Sequence, residues 1–176
     1  MLAGTTAALA DHIDSYWLFE RDAHGGGLPP VYEFPSLAPE LVLGLQGPLR
    51  FVYGRTPYCL RRSTLFGHLH ARMILHLGDV DAMIVVRFAS RGVSSVLPFV
   101  GADALLLTRH PFLPASALFG EDLGRLEESL AGRAAADVAT RLDTWFLDRL
   151  DQNRCGMVTE LGPSLDAFTS VEALAE

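Results

Sequence analysis

The hydrophobic period of this chain changes once, near residue 100, and that change limits what it can fold into. Before it, apolar residues alternate or come in short runs. "HLHARMILHL", residues 68–77, puts Leu69, Ala71, Met73, Leu75 and Leu77 on one face and His68, His70, Arg72, Ile74 and His76 on the other. That is the period-two pattern of a half-buried strand. "SYWLFE", "ELVLGLQG" and "RFVYG" are further short β-type runs, and "AMIVVRF" is apolar enough to be buried on both faces. Turn signals separate them: "HGGGLPP", Gly47-Pro48 and "GDVD", with Pro57 expected to break "RTPYCLRRST". Many short strands with no helices between them predict an antiparallel barrel or sandwich over about residues 14–90.

Beyond residue 100 the period becomes helical. "ASALFGEDLGRLEESLAG" places Leu123, Leu126 and Leu130 on one face, with acids in the first turn where they suit the helix dipole, and Gly132 ends it. A second helix is expected from about Ala134 to Asp151. Val138, Leu142, Trp145, Phe146 and Leu150 form its apolar stripe. Leu147 widens that face, which predicts a helix that packs on the β-unit, on a second copy of the chain, or on both. The fold class is therefore mainly β with C-terminal α. Residues 152–166 carry Gly156, Gly162 and Pro163 and read as a linker. Thr169 and Glu172 then form a capping box that opens a helix just before the sequence stops. This reads either as a frayed tail or as the start of a further domain.

Charge and composition exclude some functions. A formal net charge of −7 opposes phosphate backbones and anionic lipid, so nucleic acid is not expected to bind this piece by itself. The apolar fraction is 49% with mean hydropathy +0.24, yet no apolar run approaches the length of a membrane span, and the N-terminus lacks a signal-peptide pattern. Cys59 and Cys155 have no metal-type spacing and read as free thiols in a reducing cytoplasm.

Four stretches in order, "HIDSYWLFE", "VYEFPSLAPELVLGLQGPLRF", "VVRFASRGVSSVLPFVGADALL" and "ALFGEDLGRLEESL", carry a family likeness. The chain resembles the N-terminal sensing domain of AraC-type transcription regulators, in particular a subgroup with Tyr-Trp near the start, a Pro-to-Leu segment, and a Val-Arg-Phe segment at the end of the barrel. Here these are Tyr16-Trp17, Pro35 to Leu41, and Val86-Arg87-Phe88 with Gly92. The likeness runs from about residue 9 to 151, and order and spacing carry it. Ser36-Leu37 and Ala89-Ser90-Arg91 depart from the subgroup's turns. The resemblance implies a cupin-like antiparallel β-barrel sensing domain (1–110), a helical dimerisation segment (111–151), a linker (152–168), and the start of a helix-turn-helix DNA-binding domain (169–176). It also implies a small-molecule effector, a homodimer, and DNA binding only through helix-turn-helix units beyond residue 176.

The candidate chemistry is limited. His68 and His70, two apart on one strand, are a metal-cupin-like start, but Ile74 and Leu75 stand where a carboxylate ligand would follow, so no metal is expected. Arg87 ends an apolar strand and must be paired, either with an anionic ligand or with an internal carboxylate such as Glu33 or Glu40. Trp17 reads as a pocket wall or a core residue. Trp17, His68, His70 and Arg87 are thus the candidate ligand-binding residues, and Leu142, Trp145, Phe146 and Leu147 the candidate dimer interface. Arg61-Arg62 reads as a solvated edge. No nucleophile stands with a base at a recognisable spacing, so no catalytic residue and no cofactor are assigned and the chain is not read as an enzyme. The leading reading is the sensor and dimerisation domain of a regulator. The alternatives are a small metal-dependent cupin enzyme and a stand-alone cupin-like binding protein.

Overall fold

A computed structural model describes residues 2–3, 5–21, 30–33, 38–89, 92–96 and 111–154. Its strands are β1 (Leu2–Ala3), β2 (Ile13–Glu20), β3 (Val31–Glu33), β4 (Glu40–Gln46), β5 (Leu49–Tyr53), β6 (Thr56–Leu60), β7 (Thr64–Phe66), β8 (Met73–His76), β9 (Ala82–Phe88) and β10 (Phe112–Pro114). Its helices are the single turn α1 (Val93–Val96), then α2 (Ala115–Phe119), α3 (Glu121–Leu130) and α4 (Ala135–Arg154). A six-stranded sheet runs β1-β2-β9-β4-β7-β10, and a four-stranded sheet runs β3-β8-β5-β6, both antiparallel throughout. Among the described residues no ladder joins the two sheets. The fold is mainly β with C-terminal helices, as the change of period predicts.

Three layers result: helices, the six-stranded sheet, and the four-stranded sheet. Strand alternation assigns the sides. Tyr16 and Leu18, Leu41 and Leu43, and Ile84, Val86 and Phe88 join Leu123, Leu126, Leu130, Val138, Leu142, Phe146 and Leu150 of the helices in one buried cluster. On the opposite side, Val42, Phe66, Met83 and Phe112 meet Leu49, Phe51, Leu60 and Met73 of the smaller sheet in a second cluster. Phe112 is central there, with the rings of Phe51, Tyr53, Tyr58 and Phe66 each about 5 Å away, centroid to centroid. "AMIVVRF" is β9, flanked by β2 and β4 and covered on both faces, which explains its near-continuous apolar character.

Several expected boundaries move. β10 pairs with β7 across Phe112↔Phe66, so the sheet draws on residues beyond 110 and the helical segment is not separate from it. Pro57 does not break its strand. It lies in β6, opposite Val52 of β5, and β6 is an edge strand, where a missing N–H costs no ladder bond. The helix expected around Ala115 to Leu130 is divided at Gly120, whose φ of +59° a side chain would resist. α4 runs three residues past Asp151. The linker, and the capping box at Thr169 with it, lies outside the described residues.

Of the three outcomes open to the wide apolar face of α4, packing within the chain accounts for Leu142 and Phe146, while Trp145 and Leu147 stay half-buried. Leu142 and Phe146 are 0% exposed, and Leu147 packs against the same core. Trp145 is edge-on to Phe119 and Phe146, and the Arg149 guanidinium lies 4.2 Å over its ring. Arg149 also reaches Asp122 at 3.2 Å. Burial pulls the Arg149 pKa below its ordinary value, against the pull of Asp122. The short helices α2 and α3 thus supply the partner surface that the stripe on α4 requires.

One polar clamp fixes α4 to the larger sheet. Asp143, buried on α4, accepts the Tyr16 hydroxyl at 2.8 Å and the Thr6 backbone N–H at 3.0 Å. Burial first, then the hydrogen bond to Asp143 and its charge, push the Tyr16 phenol far above the ordinary tyrosine range, so it stays a donor. Tyr16→Phe takes one donor from a buried carboxylate and should cost about 1–3 kcal/mol. Phe146→Ala should cost about 3–5 kcal/mol. Urea unfolding followed by tryptophan fluorescence reads both. A loss below about 0.5 kcal/mol for Tyr16→Phe would show that the clamp does not hold the helix.

Candidate functional site

Between the two sheets the second apolar cluster opens into a cavity of about 430 Å³, within the range of small-molecule sites. Its walls follow from strand alternation. Trp17 and Phe19 face it from β2, Glu40 and Val42 from β4, and Val85 and Arg87 from β9. Val31 and Glu33 on β3, with Met73 and Leu75 on β8, close it from the smaller sheet. Most of the wall is hydrocarbon or aromatic ring. The charged lining residues among those described are Glu33, Glu40 and Arg87, gathered at one end.

The register explains that gathering. Glu40 stands directly across the ladder from Arg87, on the same face. Arg87 Nε donates to Glu40 Oε1 at 2.7 Å, and Nη2 lies near the same carboxylate. Nη2 also stands 3.8 Å from Glu33 Oε2 on the opposing sheet, an ion pair too long for a hydrogen bond. Burial works against the Arg87 charge, but Glu40, then Glu33 and Asp14, outweigh it and raise its pKa. Glu33 is pushed above the ordinary carboxylate range, by burial first and by the Glu40 charge second, with Arg87 opposing.

Trp17 lies beside this cluster and is 38% exposed, an unusual state for an indole in a sheet. Its Nε1 donates to Ser15 Oγ at 3.1 Å, and Ser15 Oγ donates to Asp14 Oδ2 at 3.0 Å. The indole donor is therefore already used, and what remains is its ring.

The structure brings Trp17 and Arg87 together and leaves His68 and His70 out. The strand expected through residues 68–77 begins only at Met73, with Leu69 an isolated bridge. At His70 the backbone N–H is taken by the Tyr53 hydroxyl at 2.9 Å instead of a ladder partner. The two histidines thus share no strand, and neither lines the cavity among the described residues. Among those residues no three His, Cys, Asp or Glu side chains gather as metal ligands. The pairing of Arg87 with Glu40 and Glu33 is the internal one of the two options its sequence context leaves open. The sequence pattern places Met73 on the apolar face of its strand, but nothing in it marks Phe19, Val42 or Val85 as cavity wall.

Gly92, part of the Val-Arg-Phe segment, has a packing reason. A Cβ there would lie 1.8 Å from the His12 carbonyl oxygen, and Ala89 N–H bonds that same oxygen at 3.0 Å. The end of β9 is thereby tied to the residue that precedes β2. No family model and no curated protein matches the chain. No helix among the described residues is long and apolar enough to cross a membrane.

The Glu33 shift sets a pH dependence. A carboxyl whose pKa is higher folded than unfolded contributes stability that is fully present below the ordinary value of 4.5 and lost as pH rises through the folded value. Glu33→Gln should therefore be more stable than wild type at neutral pH, and the difference should close as pH falls toward 4.5. Thermal melts of both proteins across that interval measure it. Parallel curves would show that burial and the Glu40 charge do not destabilise the ionised Glu33.

Proposed function

We propose that the chain is a ligand-sensing domain of the AraC type, with its two sheets in the cupin-like arrangement and the cavity between them as the effector site. The observation that carries this reading is the cavity itself. It has the size and apolar wall of a small-molecule site. Three residues of the subgroup segments that carry the family likeness, Trp17, Glu40 and Arg87, line it. The helices pack on the rear of the same sheet through Asp143 and Tyr16, so the ligand wall and the helical layer are one unit. A cytoplasmic location and a homodimer go with this reading. The homodimer has to use surface other than Leu142 and Phe146, which its own core consumes.

DNA enters the proposal only through helix-turn-helix units following residue 176. Specific readout needs an element in the major groove and cations along the backbone, and the present chain carries a net charge of −7. The 176-residue chain should show no DNA affinity at about 0.15 M salt. A longer chain carrying helix-turn-helix units should shift paired half-sites, and an effector should change that affinity only if it binds the two states unequally. A mobility-shift titration of both proteins on the promoter beside the gene checks this. Selective binding by the short chain, or a longer reading frame without helix-turn-helix units, would sink the regulator reading. The second result would favour a stand-alone binding protein that uses the same cavity.

A further inference from the structure

We infer that the cavity selects an organic cation: an amine or quaternary ammonium group on an apolar or aromatic body. This rests on the cavity being a ligand site, as proposed above, and names what that site takes.

The charge balance points this way. At the polar end of the cavity, one cation faces two carboxylates among the described lining residues. Arg87 is already committed to Glu40, through Nε at 2.7 Å and through Nη2, and it has Glu33 beside it. An anionic ligand would meet an arginine whose charge is already balanced by a carboxylate fixed in register across the ladder. It would also bring a third negative charge to the cluster, and like charges at that range in a partly desolvated site are costly. Glu33 is the opposite case. Its carboxylate is only about a quarter exposed, and its one ion-pair partner among the described residues stands 3.8 Å away. It has acceptor capacity that Arg87 does not fill.

The aromatic wall adds to this. Trp17 keeps its Nε1 on Ser15 and offers ring surface to the cavity, and a tryptophan face attracts a cation more strongly than the other aromatic faces do. A carboxylate with unfilled acceptor capacity beside an indole ring suits an ammonium group. The hydrocarbon wall of Val31, Val42, Leu75 and Val85 suits the body that carries it.

The test is calorimetric, with three probes that share one body: phenylbutylamine, phenylbutanol and phenylbutyrate. The expected order for the wild-type chain is amine, then alcohol, then acid, with the amine about tenfold tighter than the acid. Glu33→Gln should bring the amine close to the alcohol. Trp17→Leu should weaken the amine more than the alcohol. The ranking on wild-type protein needs no variant to fold. An acid that binds as tightly as the amine, or an amine preference untouched by both variants, overturns the cationic class while the cavity stands as a ligand site. No binding of any probe at millimolar concentration overturns both the class and the ligand-site reading beneath it.

Discussion

The six-stranded sheet is covered on both faces, and the rest of the structure follows from that constraint. Helices lie on one side and the four-stranded sheet on the other, so β4 and β9 are largely covered on both faces, while β2 stays partly open at Asp14, Trp17 and Glu20. The covered side chains must be apolar in both phases of the alternation, or else be paired. Hydrocarbon meets the requirement at nearly every position of β9. Arg87 is the exception, and it is tolerated because register delivers Glu40 opposite it and the smaller sheet delivers Glu33. On the rear face the exception is Asp143, held by a phenol and a backbone N–H. Both of these charged groups are matched by residues that the topology, not chain proximity, brings to them. Tyr16 and Asp143 are 127 residues apart.

Much of this fold was legible in the sequence because periodicity survives without knowledge of topology. The short β-type run of β2 and the doubly buried β9 are local facts, as are the helical stripes through Leu123 and Leu142. The side assignment within 68–77 holds at six positions, while His68, Ala71, Ile74 and Leu75 are half-buried alike. Leu69, Met73 and Leu77 are buried, and His70, Arg72 and His76 are exposed, even though only Met73–His76 is strand. What periodicity does not carry is which surfaces meet. The α4 stripe announced that Leu142 and Phe146 had to be covered, but a stripe does not say by which chain. The break at Gly120 folds α2 and α3 over it. Pro57 was read as a breaker because sequence does not show that its strand lies at an edge.

The site divides in the same way. Arg87 at the end of an apolar strand demands a counter-charge, which an anionic ligand or an internal carboxylate such as Glu33 or Glu40 could supply. The histidine pair drew attention because spacing of two is meaningful on a strand, and the chain at His70 is held by the Tyr53 hydroxyl instead. The cavity wall on the smaller sheet, with Val31, Met73 and Leu75, depends on which sheets face each other, and no local pattern encodes that.

Trp17 and Tyr16 are consecutive on β2, and strand geometry sends them in opposite directions. One ring borders the cavity while the other grips α4 through Asp143. The aspartate that the phenol holds lies near the middle of a twenty-residue helix. One peptide of β2 is thus all that separates the cavity wall from the anchor of the longest helix, and a substitution at either ring is felt through the backbone of the other.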